Sequence, residues 1–385
     1  DTITVTGAST VTGSVEGGVG DDTIIWSGTS SVGSILGGLG SDTVTVSSTE
    51  YNGSQLLDGG DDTSVADGMI DTLNLNGVTA TTNGSTITNW EVIKLNQGSK
   101  LTLDGTLATG AGQDAAGNPM GLAIDSSSTL ATASTATVTG DVANAGTIDL
   151  HTASTTPTNS LTIDGNYVGN NGKVLMDTVL GNDSSATDSL HVKGNTSGTT
   201  NLSILNAGGT GAITTNGIQV VQVDGTSADG SFLLLNNTPL SINGFDYYLY
   251  KGLPDGTNNN WYLRSICTNG SSTTGGTSTG SDALGCAPND TIVVQDSATV
   301  NKVEGAGGAD TISILGNASV TGDVLGGGQG KDNSAATDMG DTILVDTTGT
   351  IGGKIDGGLG NDTITVTGAS TVTGSVEGGV GDDTI

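Results

Sequence analysis

Asp-Thr followed by an aliphatic residue begins at Asp1, Asp22, Asp42 and Asp71, and returns at Asp290, Asp310, Asp341, Asp362 and Asp383. No other feature constrains the fold as strongly. The interval is nearly constant, and the two wider gaps, Asp42 to Asp71 and Asp310 to Asp341, each hold a polar insertion, Asp62–Met69 in one and 331–340 in the other. Within a period the chain alternates, as in Thr2-Ile3-Thr4-Val5-Thr6, and turns at Gly-Gly-x-Gly. Period-two alternation is the pattern of a strand with one buried face, and glycine-rich turns tolerate positive φ. A supersecondary unit that recurs at intervals of roughly 20–25 residues is one coil of a solenoid, because a single unit buries too little apolar surface to stand alone. The expected fold is therefore all-β, a right-handed parallel β-helix with nearly no α-helix.

A longer repeat lies above the short one. Residues 1–24 recur letter for letter as 362–385, an offset of 361. Tandem modules are expected, with neighbouring modules or identical chains end to end as partners. The opening Asp1-Thr2-Ile3 has neither the basic nor the apolar part of a secretory signal, so the chain is expected to be an excerpt. No run of about 18 apolar residues is present, so no helical membrane span is expected.

Composition narrows the function. Forty acidic residues stand against 9 basic ones, for a net charge of −31, which repels phosphate and anionic lipid. Nucleic acid is excluded as a partner, and a hard divalent cation is the ion that such a chain would attract. The two histidines, His151 and His191, stand far apart, in no nucleophile or metal-ligand spacing. They are expected to be solvated, and no catalytic residue is assigned. The stretch between Cys267 and Cys286 is rich in Ser, Thr and Gly, and its length is compatible with a loop-closing disulfide in an oxidising compartment. Phe245, Tyr247, Tyr248, Tyr250, Trp261 and Tyr262 gather 6 of the 11 aromatic residues. A hairpin cap over a coil end is expected there, with a sugar-binding platform as the alternative.

From about residue 130 to 265, motifs in order resemble the passenger region of pertactin-like autotransporters. They include Leu161-Thr162-Ile163-Asp164-Gly165-Asn166-Tyr167, Asn206-Ala207-Gly208-Gly209-Thr210-Gly211-Ala212, Gly217-Ile218-Gln219-Val220-Val221 and Trp261-Tyr262-Leu263-Arg264-Ser265. The resemblance implies type V secretion to the bacterial surface, with residues 200–265 similar to the segment that helps a passenger fold. The expected organisation is regular coils over 1–75, passenger-like coils over 76–199, a cap over 200–265, a cysteine-bearing loop over 266–288, and the next module's coils over 289–385.

The turns at Gly17–Ile24, Gly37–Val44, Gly357–Ile364 and Gly378–Ile385 also resemble the nonapeptide of calcium-binding toxins, although here the motif recurs once per coil and not in direct succession. This resemblance makes Asp22, Asp42, Asp310, Asp362 and Asp383 candidate calcium ligands. The alternative is that each Asp accepts amide hydrogens in a tight turn. The function expected is an extracellular structural or adhesive rod on a bacterial surface, binding a host or neighbouring-cell ligand. A calcium-responsive binding module is the second reading.

Overall fold

The computed structural model describes residues 1–152, 155–243, 245–254, 256–267, 272–274, 279–285, 289–327 and 339–385. The chain divides into two compact units, the first of residues 1–243 with 247–265, the second built on Ile266–Ile385.

In the first unit Thr2–Val5, Thr23–Gly28, Thr43–Ser48, Thr72–Asn76, Val92–Asn96, Gly121–Ile124 and Val142–Asn144 stack in parallel, each bonded to the next coil. Thr faces out and the aliphatic residue faces in. Register therefore places like on like: Ile24, Val44, Leu73, Ile93, Leu122 and Val142 are successive partners, none more than 1% exposed. A second face stacks Leu101, Leu130, Ile148, Val174, Leu202 and Leu234. A third stacks Val138, Ile163, Val192 and Val223. Each buried side chain contributes about 1.5–3 kcal/mol by leaving water, so the core is a set of columns running along the coils.

The second unit repeats the plan. Ile292, Ile312, Ile343 and Ile364 form one column, and Val300, Val320, Ile351 and Val372 form another. Both units are right-handed parallel β-helices, as the repeat predicted. Among the described residues the one helical segment is a 3-10 turn at Leu235–Asn237. The Asp62–Met69 insertion is a largely exposed loop without strands, and residues 331–338 of the other insertion lie outside the described residues.

The parallel rule ends at residues 218–263. Trp261–Cys267 runs antiparallel to Ile218–Val223, with Leu263 opposite Ile218. The Trp261 ring meets Phe232 edge-on at 5.5 Å, and Phe232 stacks on Tyr167 at 5.9 Å. The Trp261 indole donates to Ser227 Oγ at 2.9 Å. Phe245, Tyr247, Trp261 and Tyr262 are buried, whereas Tyr248 is half-buried and Tyr250 exposed. Cys286 lies outside the described residues, and the expected Cys267–Cys286 disulfide with it.

Candidate functional site

The repeated Asp of each coil turns inward, and these residues form the most distinctive side-chain array in the chain. In the first unit the amide of Asp22 donates to Asp42 Oδ1 at 2.8 Å, that of Asp42 to Asp71 Oδ1 at 2.6 Å, and that of Asp71 to Glu91 Oε2 at 2.6 Å. In the second, the amides of Asp290, Asp310, Asp341 and Asp362 donate to Asp310, Asp341, Asp362 and Asp383 in the same way, at 2.7–3.0 Å. All these acids are buried except Asp383, which is half-buried.

The glycine of the turn completes the arrangement. A methyl group on Gly17 would lie 2.8 Å from Asp22 Oδ2, one on Gly37 2.6 Å from Asp42 Oδ2, and one on Gly59 2.9 Å from Asp71 Oδ2. The same methyl would also strike the carbonyl of the next coil, Gly37 in the first case and Gly59 in the second. The first glycine of Gly-Gly-x-Gly is thus required by its neighbours' atoms: its bare α-carbon is the floor on which the carboxylate rests. In the regular coils the fixed spacing from that glycine to its Asp follows from this contact, as in Gly17 with Asp22 and Gly357 with Asp362.

Burial sets the electrostatics. It raises the Asp42 carboxyl, against the amide of Asp22 which lowers it, with the charges of Asp22 and Asp21 adding to the rise. Burial pushes Asp71 to about 7, with the Asp42 amide opposing and the charges of Glu91, Asp42 and Asp61 reinforcing. Glu91 is likewise pushed to about 7 by burial, with Asp61 and Asp62 adding repulsion. The second oxygens of Asp22, Asp42 and Asp71, together with Glu91 Oε1, are buried and accept no hydrogen bond.

This geometry bears on the five candidate ligands. The structure brings Asp22 next to Asp42, Asp362 next to Asp383, and Asp310 into line with Asp341. A hard cation takes about six to eight oxygen ligands. Here one oxygen of each acid holds an N–H hydrogen, and in Asp22, Asp42 and Asp362 the other rests against glycine. In this arrangement each acid serves as an amide acceptor. The array also includes Asp71, Asp290, Asp341 and Glu91, which were not among the candidates. The first three share the Asp-Thr-aliphatic signal, and Glu91 stands one coil period beyond Asp71, where counting alone could have found it.

Carboxylates able to converge on an ion lie elsewhere, in the first insertion and just before it. Asp61, Asp62 and Asp67 are exposed, with ligand atoms all within 4.8 Å of one another. The histidines differ from expectation too. His151 Nδ1 is 2.7 Å from Asp177 Oδ1, and His191 Nε2 is 2.9 Å from Asp224 Oδ2. Both are partly covered and paired with acids from other coils, contacts that no local spacing reveals.

Residues 136–249 match the family Autochaperone Domain Type 1. The chain is 46% identical over 128 residues to the YuaQ protein of Escherichia coli (strain K12), covering 33% of this chain and 9% of that protein. It is 44% identical over 117 residues to the adhesin BmaC autotransporter of Brucella suis biovar 1 (strain 1330), covering 29% and 3%. It is 43% identical over 109 residues to the autotransporter adhesin AIDA-I of Escherichia coli, covering 28% and 8%. The chain spans only a small part of these relatives. Stacked parallel coils ending in an antiparallel aromatic return, with the autochaperone match over residues 136–249 of them, make this region similar to the passenger domains of autotransporters, which are secreted to the bacterial cell surface.

Proposed function

We propose that this chain is a segment of an extracellular adhesive rod that holds binding surfaces away from the cell. The observation that carries the reading is the continuous stacking of Thr-lined coils beside a segment of autochaperone type. Two relatives bear the name adhesin, which supports attachment over catalysis. So does the thin scatter of 9 basic residues over 385. The 24-residue identity between 1–24 and 362–385 supports modules in series, and a fibre of modules is the form that a longer chain would take. The partner is a ligand on a host or neighbouring cell. Display of the full chain on a non-adherent bacterium tests the reading: it should increase cell–cell settling or surface attachment over an unrelated displayed β-helix. Equal behaviour of the two strains would sink it.

A calcium-responsive module is the second reading, favoured by Asp61, Asp62 and Asp67 alone. Under it, millimolar calcium should raise the thermal midpoint, and Asp67→Asn should abolish the rise. An unchanged midpoint rejects it.

A further inference from the structure

We propose that the acid ladder of the first unit is a proton-binding device in which Asp71 and Glu91 take up protons from the medium, firming the coils around them under mildly acidic conditions and loosening them above neutrality.

Geometry carries the argument. Asp71 and Glu91 are each 1% exposed and stand on successive coils, joined by the Asp71 amide on Glu91 Oε2. Asp71 Oδ2 and Glu91 Oε1 are enclosed and accept no hydrogen. A methyl on Gly59 would strike the Asn89 carbonyl and lie 2.9 Å from Asp71 Oδ2, so both acceptors face the same bare glycine. A proton on the carboxyl turns one of those acceptors into a donor and removes a charge from an apolar setting, where an uncompensated ion is costly.

The surroundings supply no counter-charge. Residues 1–93 contain 12 acidic residues and no Lys, Arg or His. Asp71 is faced along the ladder by Glu91 and Asp42, and from just before the insertion by Asp61. Glu91 is faced by Asp71 and, at the start of the insertion, by Asp61 and Asp62. Asp58, on the neighbouring strand, accepts the Asn89 side-chain amide. Behind Asp42 stand Asp21 and Asp22. Lys94, the first basic side chain, is exposed on the outer surface.

Both carboxyls lie at about 7, raised from ordinary values of 3.8 and 4.5. A group raised on folding contributes stability that is complete below its unfolded value and is lost as pH rises through the folded one. The loss therefore falls between about pH 4 and about pH 7 to 8, opposite in sign to an ordinary salt-bridged carboxylate.

Thermal unfolding of the full 385-residue chain, followed by circular dichroism from about pH 8.5 to about pH 5.5, tests the device. The wild-type midpoint should rise by several degrees on acidification. The double variant Asp71→Asn, Glu91→Gln should unfold at nearly one temperature across that range. A wild-type midpoint that is flat or falls on acidification overturns the proposal, as does an unaltered slope in the variant. Infrared spectroscopy of the unmodified chain gives a second readout that needs no variant. The band of protonated carboxyl groups should appear by about pH 6 and vanish by about pH 8.5, where exposed acids are ionised throughout. Its absence at about pH 6 overturns the proposal equally.

Discussion

The coils of residues 22–96 and the region from Asn144 to Ser265 are both built on stacked strands, yet they satisfy buried polar groups in different ways. The earlier coils use one device repeatedly, an inward acid taking the amide of the coil before it and resting on a glycine. The later region keeps a surface version of that ladder, in which the amides of Asn166, Asn195 and Thr226 donate to the side chains of Asp141, Asn166 and Asn195, and adds devices that each occur once. Asn144 Nδ2 donates to Tyr167 Oη at 3.2 Å and to the Lys173 carbonyl at 3.1 Å, and Tyr167 Oη meets Thr200 Oγ1 at 2.8 Å. At the surface, Asp183 accepts the amides of Thr215, Asn216 and Gly217, each at 2.9 Å. Tyr247 Oη donates to the Gly181 carbonyl at 2.8 Å and accepts from the Ala212 amide at 2.9 Å. Repetition lets coils be added without new chemistry, whereas ending the parallel ladder on an antiparallel strand needs particular partners.

That difference is most open to attack at Trp261. Trp261→Ala removes a ring buried against Phe232 and its bond to Ser227, and should cost about 3–5 kcal/mol. In hydrogen exchange on the full chain, protection should collapse over residues 196–265 and persist over 22–96. Equal loss in both regions would show that the two are one cooperative block.

Asp183→Ala should cost about 1–2 kcal/mol, since it strips three amides of a charged acceptor while water can reach two of them. Burial raises the Asp183 carboxyl, but the amides of Asn216, Gly217 and Thr215 together outweigh it and hold it below its ordinary value. Its contribution is therefore present above about pH 4 and is lost as pH falls further, the reverse of Asp71. Denaturant melts of wild type and variant should converge at about pH 3 and separate at about pH 7. A gap that does not change with pH would assign the effect to packing.

Gly37→Ala sharpens the comparison from the other side. Its methyl would lie 2.6 Å from Asp42 Oδ2, while a methyl on Gly13 meets nothing within 4 Å. Overpacking should make Gly37→Ala cost about 1–2 kcal/mol, with Gly13→Ala within about 0.5 kcal/mol of wild type. Equal midpoints in denaturant would mean that the glycine floor is dispensable. The smallest effect belongs to Lys193→Ala. Its ion pair with Asp164 spans 2.9 Å between side chains 46% and 45% exposed, and loss of the pair should shift stability by less than about 0.5 kcal/mol, fading in salt.

Much of the first region was legible beforehand because its contacts repeat. Asp22, Asp42 and Asp71 announce themselves by a recurring interval, and the Thr-aliphatic alternation identifies which side chains face in. The pairing of each Asp with a glycine earlier in its turn was visible as a motif, but its meaning was not: the same letters serve a calcium turn or an amide-accepting turn. Only the direction of the side chain distinguishes them. Glu91 was hidden because Trp90-Glu91-Val92 breaks the Asp-Thr pattern while keeping the interval. The later region was legible as strands and as a cluster of aromatic residues, and not as a set of partners. Asp183 meets amides 32 to 34 residues away, and Tyr247 meets a carbonyl 66 residues away.

By itself, then, the sequence determined the coil period, the inward columns and the acidity, because these follow from local alternation and from counting charges. The tertiary structure decided which oxygen of each acid meets an amide, which glycine must lack a methyl, and which acids stand without a cation. Those outcomes depend on how one coil sits on the next, to within a few tenths of an ångström. Hydrogen bonds and burial energies change steeply over that distance, while residue identities alone do not resolve it.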